Sequence, residues 1–231
     1  MKSIVIYPSY ECNRAPPCSF CWVHALRLRT ARPRPLPEWL SAINRGKGAL
    51  VDIVGGEPSM LPGIYDFCRE LESWAMTTNL IDWPVWEPFL QKTLQNCACI
   101  TCSWSEQMPE KQFLDRVYAL SSAGYHTVVS LVIPTVRWLP VRGIPVATNE
   151  RFSHKFHLER TSRSCNAGMN HISISDDGEI YPCQAWQMVR RNSLGNLFEH
   201  GLKYGNDKHN CNLSCLPCYK QGQHGVRLES L

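Results

Sequence analysis

The sequence predicts an α/β fold: five to six parallel strands alternating with helices, followed by a small cysteine-rich region built on a β-hairpin. Three observations predict it. Short β-branched runs alternate with helical stretches over residues 1–150. The runs are apolar nearly throughout, as expected of strands covered on both faces. Residues 153–231 then change in kind: they are polar, hold five cysteines and show no long helical period.

The elements follow in order. "IVIY" (4–7) reads as a first strand. "PEWLSAINRG" (37–46) reads as a helix, with proline in its first turn and glycine past its end. "ALVDIV" (49–54) is a second strand. In "PGIYDFCRELESW" (62–74), Ile64, Phe67, Cys68 and Leu71 recur at helical spacing. "WAMTT" (74–78) is a third strand, "VWEPFLQKTLQ" (85–95) a helix and "CACITCSW" (97–104) a fourth strand. "PEKQFLDRVYALSSAG" (109–124) is bounded by proline and glycine like a helix, and "HTVVSLVI" (126–133) is a fifth strand. No helical period follows it. A short sixth strand, "IPVAT" (144–148), is the most that stretch supports, and a boundary falls near residue 152. Beyond it, "HISISDDGEIYPC" (171–183) reads as two strands joined at Asp176-Asp177-Gly178. A short helix is expected from Leu197.

Composition narrows the classes of function. The chain has 231 residues, 44% of them hydrophobic, which suits a packed core and rules out a disordered chain. A net charge of +4 is no nucleic-acid signature. The one dense basic run, Arg27, Arg29, Arg32 and Arg34, reads as a solvated loop, with an anionic substrate or partner as the alternative. The first residues lack a signal peptide's apolar run and cleavage site. No stretch reaches the roughly 18 apolar residues of a membrane span. The expectation is a cytoplasmic protein without a membrane partner. Twelve cysteines in that compartment point to metal rather than to disulfides.

Chemistry concentrates in two cysteine groups. Cys12, Cys18 and Cys21 stand at C-x5-C-x2-C in a loop just after the first strand. Thiolates suit iron–sulfur clusters and zinc. Three thiolates on a cubane leave one iron open to a small chelating molecule, whereas zinc would want a fourth ligand, which His24 could supply. The second strand ends in "GGEP": Gly55 and Gly56 permit close backbone approach, and the Glu57 carboxylate could hold an ammonium group. Ligands of a parallel sheet gather at the C-terminal ends of its strands, so the two loops are expected to converge.

On these residues the chain resembles the radical S-adenosylmethionine enzymes, and the match runs over nearly its whole length. That resemblance implies a truncated partial (βα) TIM-like barrel over residues 1–152. It implies a [4Fe–4S] cluster on Cys12, Cys18 and Cys21, with the methionine part of S-adenosylmethionine as the fourth ligand. The activity implied is reductive cleavage of that cofactor to a 5′-deoxyadenosyl radical, which abstracts hydrogen from substrate. Phe20 matches the aromatic that packs on adenine, and Gly55, Gly56 and Glu57 match the segment at the cofactor's amino group. Asn79, Ser103 and Ser130 match by position the residues at its ribose and carboxylate. The first cysteine gap is two residues longer than the commonest family spacing.

The second group begins Cys165-x12-Gly178-x4-Cys183 and continues with Cys211, Cys215 and Cys218. It resembles the opening of the SPASM and Twitch extensions of the same family. The length favours Twitch, over residues 153–231, with one auxiliary cluster, [4Fe–4S] or [2Fe–2S]. The ligands implied are Cys165, Cys183, Cys215 and Cys218, with Cys211 spare or replacing one of them; a zinc ribbon is the bland alternative.

Other conspicuous residues read as structural. Cys68 lies on a helix's apolar stripe, and Cys97, Cys99 and Cys102 read as core. Trp22, Trp104, Trp138 and Trp186 read as core or pocket wall, and His154 and His157 as surface or linker histidines. A fully ligated auxiliary cluster favours electron removal. The expected reaction is therefore dehydrogenation of a small polar metabolite, with a flavodoxin or ferredoxin as electron donor. Arg142 and Arg151 are the candidates to take the proton, although guanidinium is hard to deprotonate. The alternatives are crosslinking or epimerisation of a ribosomally made peptide, and a non-enzymatic zinc protein. The peptide reading is weakened at this stage by the absence of room for a leader-binding domain before Cys12.

Overall fold

The computed structural model describes residues 2–18, 21–29, 33–86, 94–105, 107–133, 141–150, 158–165, 167–206 and 209–213. A nine-stranded sheet organises them. Its first six strands are β1 (Lys2–Ile6), β2 (Ala49–Ile53), β3 (Trp74–Thr78), β4 (Cys97–Ser103), β5 (Thr127–Ile133) and β6 (Val146–Glu150). These lie side by side in chain order, each parallel to the next. The α/β class and the parallel sheet stand as expected.

Alternation along the strands explains why the sheet buries one face so completely. Val51 and Ile53 on β2, Trp74 and Met76 on β3, and Ile100 and Cys102 on β4 are all at most 1% exposed. They face helices α2 (Leu36–Ala42), α3 (Ile64–Glu70) and α4 (Glu110–Ser122) across one core. The stripe foreseen on α3 is there: Ile64, Phe67 and Cys68 are buried, and Leu71 joins them just past the helix end. On α4, Phe113, Val117 and Leu120 recur at i, i+4 and i+7 and have no exposure. Helix α1 (Trp22–Ala25) is a single turn directly after Cys21, and it was not expected.

Several elements differ from the sequence reading. The helix expected over 62–74 is only Ile64–Glu70, because Leu71 has extended backbone angles that lead straight toward β3. Of the helix expected over 85–95, the described residues form 3-10 turns at Trp83–Trp86 and Leu94–Asn96. The sixth strand sits two residues later than expected, since Pro145 contributes only its carbonyl, to the Val129 amide. Strand β7 (Leu158–Cys165), paired antiparallel with β11 (His209–Leu213), was not anticipated, because its polar sequence has no apolar period.

The expected hairpin is present as β8 (His171–Ile174) and β9 (Glu179–Tyr181). It does not stand apart from the sheet. β8 pairs in parallel with the free side of β1, and β9 and then β10 (Gly195–Asn196) continue outward. Ile172 and Ile174, fully buried, extend the same core. Helix α5 (Gln184–Met188) follows β9, and α6 (Leu197–His200) starts where expected. Phe198 of α6 meets Trp39 of α2 edge to face at 5.1 Å.

Gly178 makes that seating possible. Its φ of +86° suits the tight turn, and a Cβ there would lie 2.4 Å from the Phe198 ring. Gly178→Ala is therefore expected to lower the unfolding free energy by about 1–3 kcal/mol. The measurement is the urea midpoint, and a wild-type midpoint would mean that the ring does not pack under the turn.

Candidate functional site

The cysteine loop leaves the end of β1 and is held by the ends of the next three strands. The first hold is backbone on backbone. Gly56 N donates to Ser9 O at 3.0 Å, and Glu57 N donates to Glu11 O at 2.7 Å. Contact is so close that a Cβ on Gly55 would lie 2.2 Å from Ser9 O, and one on Gly56 1.8 Å from Glu11 O. Gly55 also has φ +137°. Glycine is the one residue that fits either position.

Glu57, 2% exposed, ties β2 to β3. Its Oε1 accepts from Ser59 N (3.1 Å), Ser59 Oγ (2.7 Å) and Thr78 Oγ1 (2.7 Å), and its Oε2 accepts from Asn79 N (2.8 Å). Burial pushes its pKa up, and the four donors pull against that. Four donors compensate the buried carboxylate, and Oε2, with a single partner, keeps acceptor capacity.

Asn79, after β3, reaches back to the loop. Its Nδ2 donates to Asn13 Oδ1 at 2.8 Å and lies 3.7 Å from Cys12 Sγ, while its Oδ1 accepts from Ile81 N. Arg14, 8% exposed, supplies the link to β4: Nη1 donates to Cys18 Sγ at 2.7 Å and Nη2 to Ser103 O at 2.9 Å. Ser103 and Ser130 stand opposite each other in the β4–β5 register. Ser130 is buried, and its carbonyl accepts from Trp104 N. Cys12 and Asn79 follow the ends of β1 and β3, Ser103 ends β4, and Ser130 lies level with Ser103 on β5.

Cys12 is exposed, and Cys18 and Cys21 are half-buried. Burial is the main cause pushing the Cys12 and Cys21 thiols up, and each also feels the charge of Cys18 and of Arg14. Among the described residues no three His, Cys, Asp or Glu side chains converge as a ready-made metal site. The donor set nevertheless fits a thiolate-held group: three soft ligands on one loop, the middle one within charge reach of both others, beside a buried cation.

Beneath the loop lies an aromatic and amide network. Trp22 packs edge-on against Tyr7 (5.4 Å) and Tyr10 (6.1 Å). Gln184 Nε2 donates to Tyr7 Oη, and Gln187 Nε2 donates to Tyr10 Oη at 2.9 Å. Both glutamines belong to α5, whose N-cap is the buried Cys183. A continuous path of bonds and contacts therefore joins Cys21 to Cys183 through Trp22, Tyr7 and Gln184. Of the other expected auxiliary ligands, Cys165 ends β7 opposite His209, and Cys211 stands in β11 opposite Arg163. Cys215 and Cys218 lie outside the described residues, as do Phe20, Arg151, Trp138, His154 and His157.

Arg142 lies elsewhere. It precedes β6, on the side where the parallel strands begin, and its backbone N donates to Tyr118 Oη on α4. The sequence reading also missed a carboxylate. Asp52 interrupts the apolar run of β2 and points away from the helix-covered core, in register with Val5 and Ala75. Cys99 stands opposite Ala75 and, with Thr101, has the parity of that second face. Burial pushes the Asp52 carboxyl up to about 6. A charged residue in mid-strand was the available signal.

Neither a protein-family model nor a curated protein matches the chain. Solved structures do resemble it in fold. Streptococcus suis SuiB bound to precursor peptide SuiA superposes with a TM-score of 0.67 at 18% identity, over 87% of this chain and 63% of that one. SuiB bound to S-adenosylmethionine superposes with a TM-score of 0.60 at 19% identity, over 87% and 62%. The chain thus spans less than two thirds of the length of the SuiB chains it matches.

Asp52 gives a pH-dependence with a definite sign. Its folded pKa, about 6, is raised above the reference 3.8. Between those values the unfolded chain has released a proton that the folded chain still holds. Its contribution to stability is full below pH 3.8 and is lost as the pH rises through 6. Asp52→Asn is expected to remove that decline and to be more stable than wild type by ~2 kcal/mol at pH 8, with little difference at pH 3.5. Urea unfolding at the two pH values measures it; equal midpoint differences at both would refute the assignment.

Proposed function

We propose that the chain is a radical S-adenosylmethionine enzyme that modifies a ribosomally made peptide. One observation carries the reading. A three-cysteine loop after β1 is clamped by Gly55-Gly56-Glu57 after β2, at the C-terminal end of a parallel sheet. The SuiB likeness supports it, since solved structures of that fold hold S-adenosylmethionine and a precursor peptide. It favours the peptide over the small polar metabolite and over a zinc protein. No helix among the described residues is long and apolar enough to cross a membrane.

In this reading Cys12, Cys18 and Cys21 hold a [4Fe–4S] cluster. Loaded with S-adenosylmethionine, such a site supplies reductive cleavage of the sulfonium and hydrogen-atom abstraction from substrate. The chain's own residues set the stage. Gly55 and Gly56 fix the loop's depth, and Glu57 holds the ends of β2 and β3 together while offering its remaining acceptor capacity toward an ammonium group. Asn79, Ser103 and Ser130 form the polar rim, and Phe20 supplies the aromatic face. Cys165, Cys183, Cys215 and Cys218, with Cys211 as the fifth thiol, hold one auxiliary cluster, [4Fe–4S] or [2Fe–2S], of the Twitch type. A flavodoxin or ferredoxin supplies the electron. Crosslinking or epimerisation is the net outcome on the peptide.

The decisive experiment is anaerobic purification followed by reduction with dithionite in the presence of S-adenosylmethionine. The expected result is a brown protein containing iron and sulfide that yields 5′-deoxyadenosine, with iron of the first site lost in the Cys12→Ala, Cys18→Ala, Cys21→Ala variant. A colourless zinc-loaded protein would overturn the reading. Mass spectrometry of a short ribosomal peptide co-expressed with the enzyme then tests the substrate class. Loss of two hydrogens marks a crosslink and solvent deuterium uptake marks epimerisation, whereas an oxidised alcohol or sugar product restores the metabolite.

A further inference from the structure

We propose that Arg14 is a positioning residue which, by an N–H···S hydrogen bond to Cys18 and a second bond to the end of β4, sets the reduction potential of the group held by the cysteine loop. The proposal rests on the reading of that loop as a cluster site.

Three features of Arg14 carry it. Arginine is rarely buried unless it is paired, yet Arg14 is 8% exposed. Among the described residues no carboxylate pairs with it, and it donates to a sulfur and a carbonyl, Cys18 Sγ at 2.7 Å and Ser103 O at 2.9 Å. Its Nε is buried and has no hydrogen-bond partner among the described residues. A desolvated cation of this kind is costly unless an anion faces it. All three cysteines of the loop lie near it: Cys18 in direct contact, with Cys12 and Cys21 both feeling its charge. A group held by three thiolates carries the negative charge that this buried guanidinium lacks.

The geometry also explains why an arginine serves here. One planar fork spans a sulfur on the loop and a backbone carbonyl on β4, which a lysine's single ammonium on a flexible stem does with far less definition. Hydrogen bonds to ligand sulfurs, and net charge beside them, are among the levers that set cluster potentials. A cation with an N–H···S bond favours the reduced, more negative state and so raises the potential. Arg14 lies in the stretch between the first two cysteines, Cys12 and Cys18, where the loop is longer than the commonest family spacing.

The test needs neither substrate nor turnover. Wild type, Arg14→Gln and Arg14→Lys are purified anaerobically and reconstituted with iron and sulfide. Iron content and thermal unfolding are recorded, and the midpoint potential is read by redox titration with electron paramagnetic resonance. The expected result is a midpoint shifted to more negative potential in Arg14→Gln, with a smaller shift of the same sign in Arg14→Lys, at wild-type iron content. Full iron content with an unchanged midpoint in Arg14→Gln overturns the proposal and leaves the function standing. Should the glutamine variant not take up iron, the lysine variant decides: a lowered midpoint supports the proposal and an unchanged one overturns it. A wild-type protein that takes up no iron overturns both.

Discussion

Two carbonyl oxygens determine how this molecule is put together. Those of Ser9 and Glu11 press so closely on Gly55 and Gly56 that a methyl group at either glycine would overlap them, at 2.2 and 1.8 Å. The contact lets two backbone amides, those of Gly56 and Glu57, bond directly to the cysteine loop. The described residues of the loop, 7–18, form no helix or strand, so bonds from the strand ends give the loop its shape. Glu57 then follows as a consequence. Placed by its own amide, its carboxylate is turned inward, where Ser59, Thr78 and Asn79 supply the donors that a buried charge demands. The loop, β2 and β3 are thereby tied together by hydrogen bonds that pass through Gly56 and Glu57.

The same economy of contact joins the C-terminal half to the N-terminal half. β8 lies against the outer side of β1, and the chain then returns as α5 toward Tyr7 and Tyr10. Gln184 and Gln187 reach the two tyrosine hydroxyls beneath the cysteines, and Ser173 on β8 donates to Gln187 Oε1. Burial pushes the Tyr10 hydroxyl well above its ordinary pKa, so it remains a neutral partner for the amide. Cys21 and Cys183 are thereby joined through packed side chains, Trp22 and Tyr7 on one side and Gln184 on the other.

The two faces of the sheet have opposite chemistry. One is sealed by α2, α3 and α4 over tryptophans, isoleucines and valines. The other carries Asp52 at mid-strand, with Cys99, Thr101, Ser103 and Ser130 on the same side by parity. A carboxylate and hydroxyls on an inner sheet face weaken a core, and a protein tolerates that where the face is a working surface. Asp52 is half-buried on this face, and burial raises its carboxyl to about 6.

Local chemistry was enough to locate most elements. β3 was legible to the residue, because Trp74, Met76 and Thr78 alternate with half-buried neighbours, and α4 was legible because its period of 3.6 runs between Pro109 and Gly124. The residues of the candidate site were equally visible as the Cys12, Cys18, Cys21 pattern and the Gly-Gly-Glu-Pro run, and the fold sets those two loops against each other. What remained hidden was every relation between distant positions: β8 beside β1, Arg14 on Ser103, Phe198 on Trp39, and Arg142 on Tyr118. Periodicity and spacing report which way a side chain faces along its own element. Which surface it meets there is settled by packing between elements far apart in the chain, and the tertiary structure alone decides that.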